Sequence, residues 1–82
     1  MAATIYTFNN DPYSNRAKLL LAEKNIEFTE KTVKMWGTVD TATDISRDDL
    51  KKIAPEWQRG PVTVFEDNTV ICGLRALQSK LE

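Results

Sequence analysis

The alternation of strand-like and helix-like periods along the chain predicts a mixed α/β domain with the order β-α-β-α-β-β-α. Three observations carry this expectation. An alternating apolar run, Thr4 to Phe8, leads into a helically spaced run and then into a second alternating run, Ile26 to Val33. Two short apolar segments near residues 62 and 70 are separated by Glu66-Asp67-Asn68, as in a hairpin. Finally, Leu74, Leu77 and Leu81 recur at helical spacing.

Thr4-Ile5-Tyr6-Thr7-Phe8 is rich in β-branched and aromatic residues, which predicts the first, central strand. From Pro12 to about Asn25, Ala17, Leu20, Leu21 and Lys24 follow helical spacing, with Arg16, Lys18 and Glu23 on the other side, so one face packs on the sheet. The run Ile26 to Val33 then pairs parallel to the first strand, because an intervening helix favours a right-handed crossover. Lys34 to Ile45 loses periodicity and reads as a loop carrying one large aromatic, Trp36. Ser46-Arg47-Asp48-Asp49 starts a helix, with Ser46 as cap and two acids in the first turn; Leu50, Ile53 and Ala54 form its apolar face, and Pro55 ends it. Val62 to Phe65 and Thr69 to Ile71 form the antiparallel hairpin, and Leu74 to Leu81 is the closing helix.

Composition narrows the chemistry. With 82 residues and 41% hydrophobic content, the chain supports one small globular domain with a modest core. Lys+Arg 11 against Asp+Glu 12 gives a net charge of −1, which supplies no electrostatic reason for nucleic-acid or anionic-membrane binding. The single cysteine, Cys72, excludes an intramolecular disulfide, and the absence of histidine removes the commonest metal ligand and general base. No metal site is expected. Met1 to Phe8 is too short for a signal peptide and no apolar run approaches ~18 residues, so a cytoplasmic location is the expectation.

The most informative motif is Asp11-Pro12-Tyr13-Ser14, between the first strand and the helix that opens Asn15-Arg16-Ala17-Lys18. In structural terms it is an efficient helix start, with Asp as N-cap and Pro at the first helical position. It also resembles the opening of a glutaredoxin, whose signature is Cys-Pro-Tyr-Cys or Cys-Pro-Tyr-Ser, with Asp11 in place of the nucleophilic cysteine. A carboxylate cannot perform thiol–disulfide exchange, which needs a thiolate that attacks sulfur and is later released. Two further segments extend the resemblance. Gly60-Pro61-Val62-Thr63-Val64-Phe65 is similar to the family loop in which a cis-proline precedes a strand, and Val70-Ile71-Cys72-Gly73-Leu74-Arg75 is similar to its strand-to-helix turn.

This resemblance implies a thioredoxin fold in its minimal glutaredoxin form over residues 1–82, with a four-stranded mixed sheet flanked by three helices, as small as phage-encoded forms. It implies that Pro61 is cis. It also implies a binding groove built from Tyr13, Arg59, Gly60, Pro61, Cys72, Gly73 and Arg75. In glutaredoxins acidic residues after the last turn hold the amino group of glutathione, where this chain has Arg75-Ala76. A second resemblance, carried by Leu19 to Phe28 and Arg75-Ala76-Leu77, is to the N-terminal domain of glutathione S-transferases, in which a Ser, Tyr or Cys near the first helix stabilises the glutathione thiolate; Tyr13 or Ser14 would match that role.

The expected function is thus a glutaredoxin homologue that has lost its redox motif and binds a protein or peptide, with no cofactor required. The alternative is a residual glutathione-linked oxidoreductase or transferase acting through Cys72 or Ser14. Cys72 reads either as a thiol activated by the following helix start or as a small core residue, and Trp57 as an exposed anchor or core filler. If the groove survives, Asp11 should favour neutral or cationic ligands over glutathione.

Overall fold

The computed structural model describes residues 2–34, 43–58 and 60–81. The elements follow as β1 (Ala2–Thr7), α1 (Pro12–Glu23), β2 (Glu27–Lys34), β3 (Asp44–Ser46), α2 (Arg47–Ile53), β4 (Val62–Phe65), β5 (Val70–Cys72) and α3 (Leu74–Leu81). They form one five-stranded mixed sheet in the order β3-β2-β1-β4-β5, with β1 at its centre. β1 runs parallel to β2, with Ile5 opposite Glu30, and antiparallel to β4, with Ile5 opposite Thr63. The architecture is a thioredoxin fold, with a fifth strand where the sequence suggested four.

That extra strand corrects the reading of residues 34–45 as loop throughout. β3 pairs parallel with the end of β2, placing Ile45 beside Val33. It is only three residues long, so no alternation could accumulate to reveal it, and its pairing is supplied by a neighbour about a dozen residues earlier. Trp36 lies outside the described residues.

Alternation along the strands divides the core in two. Ala3, Ile5 and Phe65 face Ala17 and Leu21 of α1 and Leu77 of α3, with Ile26 completing that layer. Tyr6, Val33 and Val62 face the opposite side, where Leu50 of α2, its C-cap Ala54 and Trp57 cover them. The single-residue step between the two sets along β1 is what allows one strand to serve both layers.

Local signals fix the helix ends. Asp11 caps α1, accepting from the Tyr13 amide at 3.1 Å, with Pro12 at the first position. α1 stops where Asn25 takes φ 57°; the Asn25 amide then donates to the Ala22 carbonyl and the Ile26 amide to the Leu21 carbonyl at 2.9 Å. This paired left-handed termination tucks Ile26 into the core. Ser46 caps α2 by accepting from the Asp49 amide at 3.1 Å, as its place before two acids suggested.

One polar cluster ties α1 to the sheet. The buried Thr7 hydroxyl donates to Glu30 Oε2 at 2.6 Å, and Lys18 of α1 reaches the same oxygen at 3.1 Å. The Thr7 bond above all holds the Glu30 carboxyl below its ordinary value; burial opposes it less strongly, and the Lys18 hydrogen bond and charge add smaller lowering effects. A depressed folded-state pKa means that this stabilisation is present above pH 4.5, the ordinary value, and is lost as pH falls through the folded one. Thr7→Val is therefore expected to lose about 1 kcal/mol at neutral pH and to flatten the acid limb of stability. Urea unfolding at about pH 6 and about pH 3.5 checks this: an equal loss at both would exclude Glu30 as the cause.

Candidate functional site

The start of α1, the turn into β4 and the start of α3 converge at one end of the sheet. Gly60 has φ 84° and Gly73 φ 88°, a left-handed conformation that glycine adopts without steric cost. The two turns are joined directly, because the Gly73 amide donates to the Pro61 carbonyl at 2.8 Å. A β-carbon on Gly60 would lie 3.7 Å from the Gly73 Cα, so backbone meets backbone here. The Gly60–Pro61 peptide is trans, which corrects the cis expectation. The positive φ of Gly60 already supplies the change of direction into β4, and trans is the preferred isomer of an X-Pro bond.

Trp57 organises the approach to this turn. Its indole is only 3% exposed, stacks on Phe8 with ring centroids 5.6 Å apart and planes 10° from parallel, and donates Nε1–H to the Gly60 carbonyl at 3.0 Å. Lys51 Nζ sits 5.6 Å from the centre of the Trp57 ring, a cation–π contact. Trp57 is thus a core residue rather than an exposed anchor, yet it also forms part of a groove wall.

That groove, about 610 Å³ in volume, is lined by Phe8, Asp11, Tyr13, Arg47, Trp57, Gln58, Gly60, Pro61, Gly73, Leu74 and Arg75. Of the residues suggested by sequence, Asp11, Tyr13, Gly60, Pro61, Gly73 and Arg75 come together here. Arg59 lies outside the described residues. Pro12 is exposed at the first turn of α1 but does not line the groove. Arg47, at the beginning of α2, was missed: α2 is far from the motif in sequence, and the only available signal was an arginine just after a helix cap.

Cys72 takes the core-residue reading rather than the activated-thiol one, and its place in the expected groove is corrected. It does not line the groove; its side chain packs half-buried against the layer that contains Trp57 and Val62. Its pKa is raised, chiefly by burial and secondarily by the Glu56 carboxylate, rather than lowered by the start of α3. A half-buried thiol held in its neutral form is poorly suited to nucleophilic work.

The position of the missing nucleophile is chemically occupied. Ser14 is 1% exposed; its hydroxyl donates to Asp11 Oδ2 at 2.9 Å and accepts from the Phe8 amide at 3.1 Å. Asp11 therefore holds two donors, the Tyr13 amide and the Ser14 hydroxyl, and the Ser14 hydroxyl bridges α1 to the end of β1. Neither group is arranged to attack a substrate. Tyr13, 61% exposed, projects its ring at the rim.

The model of the glutathione S-transferase N-terminal domain matches residues 12–82. The chain belongs to that family. Its members share the thioredoxin fold with glutaredoxins, and the solved structures agree: glutaredoxin 1 from Francisella tularensis, crystallised with cacodylate, is similar with a TM-score of 0.67 and 26% identity over 96% of this chain and 90% of that one. FzlA from C. crescentus superposes with a TM-score of 0.74 and 28% identity over 100% of this chain and 34% of that one. A curated relative, FtsZ-localized protein A of Caulobacter vibrioides, is 29% identical over 79 residues, 96% of this chain. This glutathione S-transferase-like chain spans about a third of that relative's length, 32%. Among the described residues no helix is long and apolar enough to cross a membrane.

Proposed function

We propose that this domain is a non-catalytic member of its family that uses the groove between α1, α2 and α3 to hold a segment of a protein partner. The observation that carries the reading is the Asp11–Ser14–Phe8 hydrogen-bonded chain: the catalytic position of the glutaredoxin motif has become an internal tie, while the groove in front of it persists. A structural role for the motif with a retained cavity is what loss of chemistry with retention of binding would leave.

The glutathione-linked alternative has less support. The Ser14 hydroxyl is committed on both its donor and one acceptor side, and Cys72 lies off the groove with its thiol held neutral. The residues beside Gly73, Leu74 and Arg75, offer no carboxylate for the glutathione amino group. Among the described residues Tyr13 is the one hydroxyl-bearing side chain of the groove lining.

The candidate partner is FtsZ of the organism that carries this chain, since one relative is an FtsZ-localized protein. The test is a titration of isotope-labelled protein with FtsZ, followed by the amide signals of Asp11, Tyr13, Ser14, Asn15, Gly60, Val62, Gly73, Leu74 and Arg75. Selective loss of those signals is expected. Signals unchanged at FtsZ concentrations of about 100 μM, weaker than typical specific protein association, would exclude FtsZ as the partner. In parallel, glutathione conjugation or mixed-disulfide reduction should be undetectable; turnover abolished by Tyr13→Phe or Cys72→Ser would overturn the non-catalytic reading.

A further inference from the structure

We infer that the groove selects an acidic peptide segment, one that sets an apolar side chain against Phe8 and Tyr13 and directs carboxylates at Arg47 and Arg75. The inference rests on the partner-binding reading above and adds the chemistry of the partner. Its basis is the charge of the lining. Among the described residues Asp11 is the only carboxylate of the lining, and its two oxygens already accept from the Tyr13 amide and the Ser14 hydroxyl. Against it stand two exposed guanidinium groups, Arg47 and Arg75, neither of which is ion-paired among the described residues, and Lys51 lies behind the groove on the Trp57 ring.

Among the described lining residues two guanidinium groups therefore face one carboxylate, although the whole chain carries −1; Lys51 and the Glu56 carboxylate, which lies near Cys72, both stand outside the lining. This departs from the preference for neutral or cationic ligands over glutathione expected from Asp11 alone. Two forked cations around an aromatic cleft match carboxylates flanking an apolar residue, since guanidinium binds carboxylate in a planar, two-pronged geometry. The aromatic components supply the contact area that a charge pair in water does not. The Tyr13 ring at the rim, 61% accessible, adds to that contact area.

The test uses three peptides of about ten residues that share a central phenylalanine and differ only in their flanks: aspartate and glutamate, serine, or lysine. Each is titrated into the labelled protein, with glutathione as a fourth ligand. The acidic peptide should shift residues 11–15, 60–62 and 73–75, bind at least about tenfold more tightly than the neutral one, and weaken as salt is raised. The double variant Arg47→Gln/Arg75→Gln should lose about tenfold in affinity for the acidic peptide, which removes its advantage over the neutral one measured on the same variant; both arginines are exposed, and circular dichroism verifies that the variant is folded.

The inference falls if the neutral or basic peptide binds as well, if glutathione alone saturates the same residues, if dilution without any peptide shifts them through self-association, or if no peptide shifts them. These results separate from those with FtsZ. Groove binding of FtsZ with no charge preference among the peptides would preserve the partner reading and end this one; selective acidic-peptide binding without FtsZ binding would do the reverse for the choice of FtsZ.

Discussion

Trp57→Ala is expected to cost about 3–5 kcal/mol, the range for truncating a large buried aromatic. Typical stabilities of about 0.05–0.15 kcal/mol per residue imply a total of only about 4–12 kcal/mol for a chain of this length, so the variant loses at least about a quarter of its stability and is largely unfolded if the total lies near the lower bound. Three losses combine. The indole is 3% exposed and packs with Tyr6, Leu50, Ala54 and Val62; its stacking on Phe8 disappears; and the Gly60 carbonyl loses its 3.0 Å donor. Trp57→Phe separates the terms. It retains an aromatic ring for Phe8 but no N–H, so a loss of about 1–2 kcal/mol is expected, together with chemical-shift changes at the packed neighbours of the ring and at residues 60–62, where the Gly60 carbonyl loses its donor. Equal losses for the two variants, measured by urea unfolding, would show that the indole N–H bond rather than packing dominates.

The dual position of Trp57 explains which parts of the molecule were legible beforehand. Strands β1, β2 and β4 and all three helices were readable because each carries its own periodicity or its own cap, as with Asp11-Pro12 and Ser46. β3 was not, since Asp44-Ile45-Ser46 acquires strand character only from Val33 and its neighbours. The same contrast applies to the groove. Residues that belong to the recognisable family segments, such as Tyr13, Pro61 and Gly73, could be assigned to one surface, whereas Arg47 reaches it only through the crossover that brings α2 over the sheet. Cys72 shows the opposite error. Adjacency to Gly73 in sequence suggested groove exposure, but alternation along β5 sends Ile71 to one core layer and Cys72 to the other.

Asp11→Ala is expected to lose about 2–4 kcal/mol despite the residue's location at the surface end of α1. Removing an N-cap costs about 1 kcal/mol, and leaving the buried Ser14 hydroxyl without its acceptor adds about 1–3 kcal/mol. Both bonds depend on one carboxylate, at 3.1 Å to the Tyr13 amide and 2.9 Å to the Ser14 hydroxyl. Asp11→Asn should recover much of the loss, because asparagine is an equally good cap. The double variant Asp11→Ala/Ser14→Ala provides the decisive comparison. If the second oxygen serves to satisfy Ser14, the double variant is less destabilised than the sum of the single variants, since the hydroxyl that would have been stranded is gone; additive losses would refute the coupling. Asp11→Cys then restores the Cys-Pro-Tyr-Ser signature. The sulfur would lie at the N-terminus of α1, where a thiolate is favoured by the helix dipole, and should titrate below the ~8.5 of a free cysteine. A restored thiol of that kind should gain alkylation rate over Cys72, whose own thiol burial holds neutral. If both cysteines react equally slowly, the end of α1 does not stabilise an anion, and Asp11 contributes through hydrogen bonds alone.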